Sequence, residues 1–131
     1  MKEPVWIPRE AVLAMQRQLL SRFGGLDGLR DEGLLDSALN RPLQIFAYGS
    51  PDVFDLAAAY AMGLVKNHPF LDGNKRIGFV SAFTFLGLNG FSLQAPEAEA
   101  VLQTVALAAG EIGEADYALW LKDNCVERSA D

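Results

Sequence analysis

The sequence predicts an all-α fold, a compact six-helix domain, on three observations. Apolar residues recur at a spacing near 3.6 along most of the chain, and no run of strand length alternates apolar with polar residues. Glycine and proline fall between the periodic stretches, where helices begin and end. At 131 residues, 50% apolar and 21% charged, the chain is one domain's worth of sequence, with enough apolar surface for a core of its own.

Each element has its own warrant. Pro8 suits a first helical position, Val12, Met15, Leu19 and Phe23 share a face, and Gly24 with Gly25 stops the first helix. A short second helix is expected from Asp31 to Asn40: its first acids suit the positive end of the helix dipole, Leu34, Leu35, Ala38 and Leu39 point inward, and Pro42 lies just beyond. Pro51 and Asp52 open a third helix to about Lys66, apolar on nearly every side and therefore central. A fourth runs from Asn74 to Asn89 and stops at Gly90, a fifth from Pro96 to near Gly110, and a sixth from Glu114 to about Val126. The uncharged stretch from Ile77 to Pro96 is broken by Ser81, Thr84, Asn89, Gly90, Ser92 and Gln94, so it reads as a buried helix and a loop rather than a membrane span.

Charge narrows the function classes. Eleven Lys and Arg face seventeen Asp and Glu, a net charge of −6, which disfavours a bulk-charge grip on nucleic acid or anionic lipid. The acidity is concentrated between Glu97 and Asp131, with eight acids and two bases. The single cysteine, Cys125, can form no internal disulfide, and no secretory leader is recognisable at Met1, so a cytoplasmic protein is expected.

One segment is unlike scaffold: His68-Pro-Phe-Leu-Asp-Gly-Asn-Lys-Arg76, between the two most apolar helices and holding the only histidine. Gly73 and Asn74 fall at a helix start, where free backbone N–H groups and a partial positive charge bind anions. Lys75 and Arg76 occupy the first turn, where the dipole opposes cations, so a negative partner such as a phosphate is called for. Asp72 is a hard oxygen ligand suited to Mg²⁺ beside such phosphates, and His68 can accept a proton near neutral pH. Base, metal ligand and phosphate cradle within nine residues suit phosphoryl or nucleotidyl transfer to a hydroxyl. Taken singly, each residue has an ordinary alternative: a solvated loop histidine, a turn, a helix-start carboxylate, a pair of surface cations. Phe70 reads as the anchor of the loop in the core.

His68 to Arg76 closely resembles the signature His-x-Phe-x-Asp/Glu-Gly/Ala-Asn-Lys/Gly-Arg of the Fic/Doc family, and the chain as a whole looks like its death-on-curing branch. Gly28 to Pro42, Leu107 to Gly110 and Trp120-Leu121 extend the likeness. The resemblance implies that His68 deprotonates a target hydroxyl, that Asp72 binds Mg²⁺, and that Gly73, Asn74, Lys75 and Arg76 hold the phosphates of ATP. AMP-transferring members carry Gly-Asn-Gly-Arg-x-x-Arg; here Lys75 replaces the second Gly and Phe79 the second Arg. In the death-on-curing branch the same Lys accompanies a reversed nucleotide with its γ-phosphate toward the histidine. A kinase acting on Ser or Thr of a host protein is therefore implied, with translation elongation factor Tu as the family's known target.

The family also implies a toxin restrained by a cognate antitoxin. None of the Ser or Thr residues has Glu four positions on, so the self-restraining helix motif of other members is missing. Restraint would come from an antitoxin whose C-terminal segment folds into a groove on the toxin. Leu43 to Gly49, with Phe46 and Tyr48, match the family's substrate flap in position. AMP transfer on the same scaffold, or an inactive binding module, are the alternative readings.

Overall fold

The computed structural model describes residues 2–128. Six helices form the body: α1 (Arg9–Phe23), α2 (Glu32–Tyr48), α3 (Val53–Asn67), α4 (Asn74–Leu88), α5 (Glu97–Ala109) and α6 (Glu114–Asp123). Two short strands, β1 (Phe91–Leu93) and β2 (Cys125–Glu127), pair antiparallel, with Ser92 opposite Val126. No helix among the described residues is long and apolar enough to cross a membrane.

The apolar composition of α3 puts it at the centre. Asp52 and Asp55 form a reciprocal capping box at its start. From Leu56 to Leu64 only Met62 escapes full burial, and α2, α4, α5 and α6 all pack around the helix. Small residues set the distances. A Cβ on Gly63 would come within 3.0 Å of the Ala38 carbonyl of α2, and one on Gly78 of α4 within 2.9 Å of Val65. The N-terminal segment is tied down by Asn89, which bonds both the N–H and the carbonyl of Val5, and by Trp6 stacked on Phe85.

Three expectations need correction. The second helix does not stop ahead of Pro42; it continues to Tyr48, so residues 43 to 48 are helix and not a flap. Packing overrides the proline: Pro42 is fully buried, and α3 approaches the Ala38 carbonyl, which has no N–H four residues on to meet it. The sixth helix ends at Asp123, where the Asn124 side chain bonds the Trp120 carbonyl. Residues 125 to 127 then form β2, and Phe91–Leu93, expected as loop, form β1. This pairing joins segments more than thirty residues apart, which helical periodicity cannot register.

Candidate functional site

His68 to Arg76 bridges the end of α3 and the start of α4, so the two central helices aim their opposite poles at one connection. His68 caps α3 in the left-handed conformation, φ 53° and ψ 53°, and is the only described non-glycine residue with positive φ. It is exposed to solvent. Phe70 is 2% exposed and anchors the loop in the core, as its sequence suggested.

The loop is held from three directions. From within, the buried Asn74 side chain accepts the Phe70 N–H and donates to the Phe70 carbonyl, both at 3.0 Å. From α1, the buried Gln16 donates its Nε2–H to the Asp72 carbonyl at 2.7 Å. From the connection between α1 and α2, Leu29 bridges to Phe70, the Arg30 N–H donates to the Pro69 carbonyl at 2.7 Å, and Leu71 N–H donates to Gly28. Gly73 takes φ 78°, and a Cβ there would lie 3.4 Å from Gln16 Nε2, so glycine suits both the backbone and the space.

The polar groups left over form the site. Asp72 is half-buried; its Oδ2 accepts the Leu26 N–H at 2.7 Å, while no protein donor among the described residues reaches Oδ1. A lone carboxylate with a free oxygen suits Mg²⁺, which keeps waters and shares phosphate oxygens, and no cluster of three metal-ligating side chains exists among the described residues. The first-turn N–H groups of Asn74, Lys75 and Arg76 have no carbonyl inside the helix to bond. Lys75 and Arg76 are exposed, and the ion pairs among the described residues, Arg9 with Glu32 and Asp36 and Arg41 with Glu114, leave both out. The Arg76 guanidinium lies 4.3 Å over the Phe23 ring at the end of α1, and Arg22 sits 5.3 Å from the same ring. A net acidic protein thus gathers cations at this turn, as an anion site requires.

All six residues expected in the site lie in this one connection, with Asn74 able to offer a ligand only its backbone N–H. Leu43 to Gly49 are not brought to it. α2 runs antiparallel to α3, since Asn67 bonds the Leu34 carbonyl, so residues 43 to 48 stand at the far end of α3, about 20 Å of helix away. A cleft of about 440 Å³ at that far end, lined by Ile45, Pro51, Asp55 and Glu114 among others, contains no residue of the signature. Residues 26 to 30 and Gln16 border the site instead. Residues 28 to 30 fall in the stretch that extends the family likeness, but no local pattern marks them, Leu26 or Gln16, because all of them bond or bridge to groups remote in sequence.

A family model described as the Fic/DOC family matches residues 6–86. Over 76 residues the chain is 47% identical to Toxin Doc of Mycolicibacterium smegmatis, a match covering 56% of this chain and 58% of that protein, less than two thirds of its length. Over 114 residues it is 34% identical to Protein kinase doc of Escherichia phage P1, covering 86% of this chain and 89% of the phage protein.

Proposed function

The chain belongs to the Fic/DOC family, and from that premise we propose that it is the toxin of a toxin–antitoxin module. Its reaction is transfer of the γ-phosphate of ATP to a Ser or Thr hydroxyl of a host protein, which halts translation in the cytoplasm. One observation carries the reading: an exposed imidazole and a helix start without a side-chain cap share a single connection, closed by hydrogen bonds on three sides.

In this reading the polyphosphate docks on the first-turn N–H groups of α4, with Lys75 and Arg76 neutralising its charge. Asp72 would hold Mg²⁺, which supplies further neutralisation of phosphate charge. His68 accepts the proton of the target hydroxyl while the hydroxyl oxygen forms its bond to the γ-phosphorus. The bond from that phosphorus to the bridging oxygen breaks, and ADP leaves with the electron pair. Lys75 supports phosphate over AMP transfer, because a charged side chain occupies the second position after Gly73, where AMP-transferring members have glycine. The names of the two relatives, a toxin and a protein kinase, support the same reading, as they do a cognate antitoxin partner. Elongation factor Tu is the host protein to test first.

The test is mass spectrometry of that protein after incubation with the chain, ATP and Mg²⁺. A gain of about 80 Da is expected for phosphate, and about 329 Da would replace the reading with AMP transfer. His68→Ala should lower turnover by about 10² to 10⁴ with ATP binding kept. Lys75→Gly should shift the product toward AMP transfer. Full-speed modification by His68→Ala would overturn the assignment.

A further inference from the structure

Arg30 lies in the connection between α1 and α2, 38 positions before His68. Its Nε–H donates to the His68 carbonyl at 2.7 Å and its Nη2–H to the Asn67 carbonyl at 2.9 Å. Its own backbone N–H donates to the Pro69 carbonyl. One residue therefore binds three consecutive carbonyls where α3 ends. The Asn67 and His68 carbonyls are groups the helix end leaves without donors, and a cation there complements the negative pole of the dipole. The planar fork holds its Nε–H and Nη2–H at a fixed spacing that meets two neighbouring carbonyls, whereas an ammonium is a point charge whose donors are not preset to that spacing.

This grip falls on the residue whose backbone most needs one. A non-glycine residue at φ 53° persists only where its surroundings hold it there. The α3 side supplies one bond, from the His68 N–H to the Leu64 carbonyl at 3.2 Å. The His68 and Asn67 carbonyls are held by Arg30.

We infer that Arg30 is the positioning residue for His68: its guanidinium fork on the Asn67 carbonyl, the last of α3, and on the carbonyl of the His68 cap keeps the left-handed turn closed and so fixes where the imidazole stands relative to the first turn of α4. The positional claim stands on this geometry, whereas its consequence for transfer rests on the reaction proposed above. Arg30 acts through His68 and leaves the α4 cradle untouched. Its removal should therefore lower kcat by about 10- to 100-fold, as small misplacements of a reacting group do, with KM for ATP kept within about twofold.

His68 is the only histidine, so its ring signals in an NMR spectrum need no assignment. In Arg30→Ala, the ring resonances should shift or broaden and the His68 amide should exchange faster with solvent, while circular dichroism stays that of the parent. Arg30→Lys keeps the charge without the fork and should show the same changes at smaller size; it takes over the test if Arg30→Ala does not fold. Adding Arg30→Ala to His68→Ala should lower the residual rate no further, because the group it positions is already gone. Unchanged ring signals and amide exchange in a folded Arg30 variant would overturn the inference, and so would rate losses that simply multiply in the double variant. A wild-type chain that transfers nothing would instead overturn the reaction, and the NMR comparison would still decide the role of Arg30.

Discussion

Asn74 and Phe70 exchange two hydrogen bonds through one side chain, each 3.0 Å long, with the Asn74 residue only 3% exposed. The amide closes the loop on the first residue of α4, so the chain enters the helix in one geometry. Its side chain is thereby used for structure, and the Asn74 backbone N–H is left with no carbonyl inside the helix to bond.

Asn74→Leu should therefore cost stability before it touches chemistry. It leaves the Phe70 N–H and carbonyl buried without partners, at about 2–4 kcal/mol for the two. Urea unfolding should show a lower midpoint at an unchanged slope. A midpoint equal to the parent's would mean the two bonds contribute nothing.

Replacing His68 by glycine should have the opposite effect on stability. A side chain at φ 53° costs about 1 kcal/mol that glycine avoids. His68→Gly is expected to be inactive yet more stable than the parent by roughly 0.5–1 kcal/mol. Thermal unfolding of the two proteins checks this, and a less stable variant would show that the imidazole itself holds the turn.

Two helical glycines should respond differently to alanine. Gly63→Ala drives a Cβ to 3.0 Å from the Ala38 carbonyl and 3.1 Å from its Cα, pushing α2 from α3 at a cost of about 1–3 kcal/mol. At Gly87 nothing lies within 4 Å, so Gly87→Ala should stabilise by about 0.4–1 kcal/mol. Equal effects in denaturant titrations would contradict the packing described for α2 and α3.

Alkaline pH should destabilise the protein through Tyr117. Burial pushes its phenol up to about 12, partly offset by the hydrogen bond with Thr104, and burial raises Tyr60 in the same direction. Above the ordinary value of 10.0 the unfolded chain loses the Tyr117 proton while the folded chain keeps it. The folded state then binds more protons, so stability is full below pH 10 and falls as pH rises toward 12, by on the order of 2–3 kcal/mol from this residue. Tyr117→Phe should flatten that fall. It should also lower stability at neutral pH by about 1–2 kcal/mol, since Thr104 Oγ1 loses its buried partner. Stability curves measured from pH 8 to 11.5 for both proteins provide the comparison.

The legible parts of the chain share a physical character. The boundaries of α1, α3, α4 and α5 followed from local signals: Gly24 after a periodic face, Asp52 at a helix start, Gly90 and Gly110 after helix ends. The signature was legible because its chemistry is contiguous, nine residues from His68 to Arg76. Pro42 misled because its local cost is outweighed by burial against α3, which a window of neighbours cannot weigh. The strand pair escaped notice because β1 and β2 are three residues each and find one another across α5 and α6.

By itself, then, the sequence determined the helical class, the central place of α3, and the single stretch carrying an imidazole, a carboxylate and two cations at a helix start. These follow from periodicity and from residue types adjacent along the chain. Only the tertiary structure decided what holds that stretch in shape: Gln16 on the Asp72 carbonyl, Leu26 on the Asp72 carboxylate, Arg30 on His68 and Asn67, Phe23 beneath Arg76. The physical reason is that these partners meet through backbone carbonyls, one carboxylate oxygen and a ring face. Such groups are present throughout any sequence, and only folding selects which of them come into contact.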